Sequence, residues 1–385
     1  MASLTSFAPL VGIFSLVLFV LHRAFLGPLR NVPGPTLCKF TSLWSYYHSY
    51  IGDECTQIDS HHKQYGPIVR IGPNEVSISD GAALAPVYSD KGGFLKAPCY
   101  TNFDFEGHPT IFSAIDPAHR AIRSKAVVPA FSMSKIRAGQ GAIEECVRGM
   151  IDRMKSEKST SLEAGRPVNI LNLTRSLALD AASSYLFGRS FGAISEDAGT
   201  LSATSYIDAV VAVGTLFFIP PWIFHTIEAI RSRHLAGIDE QKSFAKVDNY
   251  AMSVVEEVDK DDHTYQGRLL KAGISKHEAK VQVADVIFAG TDSTGTNIAT
   301  IIWNLAKHPE IHQKLQDEVL KADAEDPTYQ LQSLRYLDAV VKEGLRLAMA
   351  NPVRFPRVVP PQGFNFEACD GRTYFLPGGT QVGMQ

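Results

Sequence analysis

Within the run AGTDSTGT, residues 289–296, a carboxylate and two hydroxyls stand side by side at Asp292, Ser293 and Thr294, in a stretch that otherwise reads as a long apolar helix. Helix propensity argues against all of them: Gly290 costs about 1 kcal/mol relative to alanine in a helix interior. Asp, Ser and Thr there bond back to backbone carbonyls, and helices bend at such places. An acid beside a hydroxyl, in a local opening of the carbonyl ladder, can hold a small ligand and pass it a proton. A polar face turned to solvent has the same composition, so this stretch reads as a site only in the company of others.

That company lies on several elements. Val281, Ala284, Phe288, Ala299, Ile302 and Trp303 mark an apolar stripe, which predicts one helix from Lys276 to Lys307, ended by Pro309. A helix of that length, on the order of 45 Å, crosses a whole domain. Farther on, Glu343 and Arg346 are three apart on a helical run and can pair. They flank Leu345 in a helix with Leu337, Val340, Val341 and Leu347, which predicts that part of the pair is drawn inward. Asp116 is a natural N-cap, with Pro117 in the first helical position. His119 and Arg123 then share one face of that helix, and Arg120 is a competitor beside them.

The rest of the chain is mainly helical with a small β portion. Helical periods recur around residues 143–156, 169–187, 241–258, 309–322 and 334–348. Pro67 to Ser79 predicts a hairpin about Gly72-Pro73-Asn74, and Asp370-Gly371 a second one. No repeat, low-complexity tract or linker stands out. At the amino end, Phe7 to Leu21 carries no charge and is followed by Arg23 and Arg30, which predicts a short membrane anchor over residues 1–30. Basic flanks stay cytoplasmic, which puts residues 31–385 in the cytosol as one domain, and "NVPGP" at 31–35 is a stiff hinge between the two.

With 45% hydrophobic and 20% charged residues in 385, the composition is globular, and a net charge of −3 gives no case for nucleic acid. Five scattered cysteines, with no C-x-x-C pair, suggest neither a disulfide framework nor a zinc site.

Taken in order, the hinge Pro33-Gly34-Pro35 after an anchor, Ala289-Gly290-Thr291-Asp292-Ser293-Thr294, Glu343-Gly-Leu-Arg346 and "NPVRFPRVVP" resemble the cytochrome P-450 haem-thiolate monooxygenases, in the wording of the fungal membrane-bound branch. The resemblance runs from the hinge to the last residue. It implies the family's mainly helical fold, and a reaction in which dioxygen and reductase-supplied electrons oxidise a hydrophobic small molecule, such as a fungal secondary metabolite. Haem is the implied cofactor, with electrons from NADPH through a reductase. Asp292 and the hydroxyl after it would relay protons to oxygen. That hydroxyl is Ser293 where most members carry threonine, with Thr294 next, and its freer rotamer implies looser proton delivery. His119, Arg123 and Arg357 would meet the haem propionates, and Glu343 with Arg346 would be a structural pair. By family position, residues 97–115 and 214–225 would wall the substrate pocket, with Phe217, Phe218 and Trp222 near the bilayer surface.

One departure counts most. The family's iron ligand is a cysteine in a Phe-x-x-Gly-x-Arg-x-Cys loop, and these residues contain no such loop; Cys369 in "EACDGRT" lacks its glycine and arginine. "QVGMQ" at 381–385 reads as unfinished strand, so the expectation is a chain that stops before that loop and the final helix. Two readings stay open: a monooxygenase whose activity belongs to a longer product, or a membrane-attached binding protein without catalysis. A family isomerase or dehydratase typically abandons the acid and hydroxyl, which this chain keeps.

Overall fold

A computed structural model describes residues 14–15, 18–89, 93–164, 167–196, 202–234, 237–258, 262–326 and 330–384. Of the expected anchor, residues 1–13, 16 and 17 lie outside the described residues. Among the described residues no helix is long and apolar enough to cross a membrane.

The chain order is α1 (Leu43–Ile51), α2 (Glu54–Tyr65), β1 (Ile68–Gly72), β2 (Glu75–Ile78), α3 (Leu84–Tyr88), β3 (Leu95–Lys96), α4 (Pro117–Val127), α5 (Met133–Ala138) and α6 (Gln140–Ala164). Then come α7 (Ile170–Phe187), α8 (Ser202–Gly214), α9 (Pro221–His234), α10 (Ile238–Glu256), α11 (Tyr265–Lys271) and α12 (Lys276–Lys307). The chain continues through α13 (Pro309–Glu325), α14 (Arg335–Ala348), β4 (Arg357–Val358), β5 (Phe364–Glu367), β6 (Thr373–Leu376) and β7 (Gln381–Met384). One sheet has the order β1-β2-β7-β4-β3, and β5 and β6 form a separate hairpin. In it β7 runs parallel to β2, with Val76 opposite Val382.

The long helix α12 has the bounds its sequence predicts. Ser275 accepts a hydrogen bond from the Glu278 amide as N-cap, and Pro309 starts the next helix. Its buried line differs from the expected stripe. Ala279, Val283, Ile287, Thr291, Gly295 and Ala299, each four residues on, are buried, whereas Trp303 is exposed. The cause is close approach of α7: a Cβ on Gly295 would stand 2.8 Å from Arg175 Cγ and 2.9 Å from its backbone. Thr174 seals the contact by donating its hydroxyl to the Gly295 carbonyl at 2.8 Å. The main core gathers on the same side, with Leu179, Phe187, Ile207, Val247, Ala251, Leu269, Val283 and Ile287 from five helices.

Both expected hairpins form, and Asp116 caps α4 by accepting from the Ala118 amide at 2.9 Å. The hinge packs on β1: Arg70 N–H donates to Pro33 O at 2.7 Å, and a Cβ on Gly34 would lie 2.4 Å from Arg70 O. Glu343 and Arg346 pair through two bonds of 2.7 and 2.6 Å, but both side chains are exposed rather than drawn inward. Only Gly344 of α14 is buried, so the face carrying the pair is wet.

Candidate active site

Asp292 projects from the middle of α12 into an ion-pair chain. Arg175 of α7 donates to Asp292 Oδ1 from Nε at 3.0 Å and Nη2 at 2.7 Å, and from Nη1 to Asp208 Oδ1 of α8 at 2.9 Å. The Arg175 side chain is 9% exposed and that of Asp208 62%, so the chain leads from the helix interior to solvent. Sequence reading missed both partners. They stand 117 and 33 residues away from the group each one meets, on elements with no local signal linking them.

The hydroxyls beside Asp292 fold back onto their own helix. Ser293 Oγ donates to Ala289 O at 2.7 Å and Thr291 Oγ1 to Ile287 O at 2.6 Å, while Thr294 is exposed. The helix is unbroken here, so the expected opening of its ladder is replaced by hydroxyls that cover the carbonyls. Chemically this is a fixed carboxylate next to a half-buried hydroxyl whose bond to its own helix can be exchanged for one to a ligand.

Seven positions earlier on α12, Asp285 is buried. Burial pushes its carboxyl up to about 6, against the opposing pull of Thr110, Lys96 and the Phe112 backbone.

His119 and Arg123 come together, but around Glu278. Arg123 binds the Glu278 carboxylate and donates to the His119 carbonyl at 2.9 Å, and His119 Nε2 lies 3.6 Å from Glu278 Oε1. Arg357 sits elsewhere, at the sheet, with Nη1 donating to the Tyr100 hydroxyl at 2.8 Å. Sequence reading also missed Arg354, which is fully buried against two acids: Glu75, and Glu54 at 2.7 Å, the latter misaligned for a hydrogen bond. Its guanidinium stacks 4.0 Å from the Phe218 ring, joining α2, β2 and the loop before α9.

A cavity of about 500 Å³ opens between the 102–106 loop, α8, α9, α10 and the first turns of α12. Phe103, Val210, Val213, Phe224, Phe244 and Ala284 give it apolar walls. Lys280 closes one side by donating to Glu106 Oε1 at 2.6 Å and Asp248 Oδ1 at 2.8 Å. Burial opposes its charge, but these two acids hold the ammonium above the ordinary lysine value. Of the expected pocket walls, residues 102–106 and Phe224 line this cavity, and Phe217 is core, packed on Tyr100 and Phe103. Among the described residues no cluster of His, Cys, Asp and Glu could hold a metal ion, and Cys38 and Cys99 are buried thiols, raised to about 11 and about 12 by that burial.

Similarity to known proteins agrees with this architecture. Cytochrome P450 monooxygenase mfmF of Annulohypoxylon moriforme is 35% identical over 400 residues, covering 98% of this chain and 78% of its own length. Pisatin demethylase of Fusarium vanettenii is 24% identical, over 100% of this chain and 77% of its own. Cytochrome P450 monooxygenase macH of Penicillium terrestre is 28% identical, over 94% and 74%. The family model described as cytochrome P450 matches residues 32–385, and so the chain belongs to the cytochrome P450 family.

Proposed function

We propose that this chain acts as a fungal haem-dependent monooxygenase that oxidises a hydrophobic small molecule of secondary metabolism. The observation that carries the reading is Asp292, fixed by Arg175 beside Ser293 in the helix that crosses the core. Haem, the cofactor the family implies, supplies dioxygen activation and the transfer of one oxygen atom when bound. The residues fit such a group at its acidic edge: the buried Nε of Arg120 on α4 has no partner among the described residues and marks a place for an anion. They offer no comparable fit for its iron. Cys38 and Cys99 are buried and Cys369 lies beside a tight turn, so the thiolate is assigned to none of them.

The protein's own groups divide the work. The cavity walls bind the apolar substrate and exclude water from it. Ser293 Oγ would leave the Ala289 carbonyl to donate a proton toward the ligand, and Asp292, 22% exposed, would pass one back to it from solvent. Arg175 holds the carboxylate oriented, and Asp208 holds the other edge of the guanidinium.

Electrons come from NADPH through a reductase. In this reading the body is cytosolic and held at the endoplasmic reticulum membrane; the apolar run at residues 7–21 and the exposed Trp222, Ile230 and Ile238 support it. The test is to produce the full chain with ample haem and measure haem content, then NADPH oxidation with a reductase. Stoichiometric haem with substrate-dependent NADPH use supports the reading. A folded chain that takes up no haem overturns it and leaves the binding-protein alternative.

A further inference from the structure

The cavity of about 500 Å³ takes its walls from the 102–106 loop, α8, α9 and α10, and from Lys280, Val281 and Ala284 of α12. Among the described residues, none of α12 beyond Ala284 lines it. Ser293 follows Ala284 by nine residues, a rise on the order of 13 Å and a rotation of about 180°. Its hydroxyl and the exposed Ala289 to which it bonds therefore lie on the opposite face of the helix from the cavity. The turn between is taken up by Phe288, whose ring stacks on that of Phe103 in the cavity wall, with centroids 6.4 Å apart and planes at 19°. Phe103 is held in turn by Phe112 and Phe217, at 5.9 and 5.3 Å between centroids. A molecule filling the cavity is out of reach of the Ser293 hydroxyl.

Both bases of the lining are already taken by acids. Lys280 serves Glu106 and Asp248, and Arg231 donates to Glu240 at 2.7 Å, so a buried anion would meet no free cation. Burial pushes the Asp104 carboxyl up, against the pull of Ser113, which favours its uncharged form. Three buried polar atoms of lining residues have no partner among the described residues: Asn102 Oδ1, Asp104 Oδ1 and the Tyr206 hydroxyl. The Asn102 amide is fixed, because its Nδ2 donates to the carbonyls of Phe217 and Ile219 at 2.8 and 3.0 Å and leaves Oδ1 to accept. Unmet groups of this kind are costly, and a ligand hydroxyl can donate to either oxygen and accept from Tyr206.

We infer that this cavity is a binding site separate from the reacting position. It takes an uncharged, mainly apolar molecule that carries a hydroxyl, and holds it away from Ser293. The inference rests on the monooxygenase reading only for where oxygen reacts. A substrate bound by these walls is waiting, and its way to the other face of α12 leads past the Phe103–Phe288 stack.

Nile red, an uncharged dye with polarity-sensitive emission, is titrated into the full chain without added haem and then displaced with 2-naphthol or 2-naphthoate. Saturable binding is expected, with 2-naphthol effective at concentrations on the order of tenfold lower than 2-naphthoate. Val213→Trp, which fills the cavity from a half-buried position, should weaken the dye by on the order of tenfold. Ala289→Trp, which blocks the opposite face from an exposed position, should leave dye binding within about twofold. Tyr206→Phe should weaken 2-naphthol about threefold or more while the melting temperature of the ligand-free chain holds or rises, since an unmet hydroxyl is removed, and this keeps the test independent of how Val213→Trp folds. Dye binding that is lost with Ala289→Trp, kept with a folded Val213→Trp, or absent from the wild-type chain overturns the inference and leaves the monooxygenase reading standing. Equal displacement by the two naphthalenes, or 2-naphthol binding indifferent to Tyr206→Phe, overturns the ligand class and the inference with it. The expected pattern in a folded chain that takes up no haem upholds the site and overturns the monooxygenase reading alone.

Discussion

Asp285 sits on α12 facing Thr110, the Phe112 backbone and, at longer range, Lys96, Tyr206 and Tyr265. With its carboxyl raised to about 6, the native chain keeps a proton that the unfolded chain has already released from about pH 4 upward. Stability therefore falls as pH rises through that window and is level above it, by an amount on the order of 3 kcal/mol. Glu54, raised by burial, acts in the same direction, whereas Asp80 and Asp370, lowered by backbone and Arg372 hydrogen bonds, act in the opposite one. The comparison with Asp285→Asn isolates the group. By urea unfolding, the variant should be more stable than wild type at pH 7, and the gap should close on acidification to pH 4. A gap independent of pH would refute the assignment. At Ser293 the expected effect is kinetic. With reductase and haem, Ser293→Ala should release more peroxide per NADPH consumed and Ser293→Thr less, because a β-branched hydroxyl has fewer rotamers to wander through.

At the scale of elements, the contact between α7 and α12 sets where Arg175 can reach. Gly295 faces the backbone of α7 with no room for a methyl group, since a Cβ there would lie 2.9 Å from Arg175 Cα and N. Gly295→Ala should cost about 1–3 kcal/mol in urea unfolding and loosen the Arg175–Asp292 bond, the strain being backbone rather than a movable side chain. A neutral substitution would mean that the two helices slide apart at little cost. Much of this level was legible in advance. Ser275 and Pro309 bracket α12, Asp116 opens α4, and Gly72-Pro73-Asn74 closes the first hairpin, because caps and turns are local chemistry. The helices α8 and α9 were not, since "YIDAVVAVG" and "PWIFHTIEAI" are short and apolar on several sides, and periodicity cannot separate such runs from buried strand. Partner choice was the least legible. Arg123 and Arg120 look alike in sequence, and only packing of α4 on α12 gives one of them Glu278 and leaves the Nε of the other without a partner among the described residues.

For the whole molecule, the proposed membrane attachment predicts which side would meet the bilayer. Leu43, Tyr47, Tyr50 and Ile51 of α1 are exposed, as are Trp222, Ile227 and Ile230 of α9. The two groups are joined, because Ser49 of α1 donates to the Thr215 carbonyl, six residues before α9 begins, at 3.0 Å. Exposed apolar area of this kind on one side, with aromatic rings among it, suits the headgroup boundary. Arg354 stacked on Phe218 fixes that side to the sheet, so the body cannot tilt independently of it. Trp222, 73% exposed, is the reporter, because Trp44 packs in a small core with Ile58 and Tyr65 and Trp303 lies at the far end of α12. In vesicles carrying brominated acyl chains, tryptophan emission of the full chain should be quenched, and Trp222→Phe should abolish most of that quenching while binding to the vesicles persists through the amino-terminal run. Quenching that survives the substitution would place a different face on the membrane and turn the cavity mouth between the 102–106 loop and α9 toward water. An apolar substrate would then have to reach that cavity from solution rather than from the lipid.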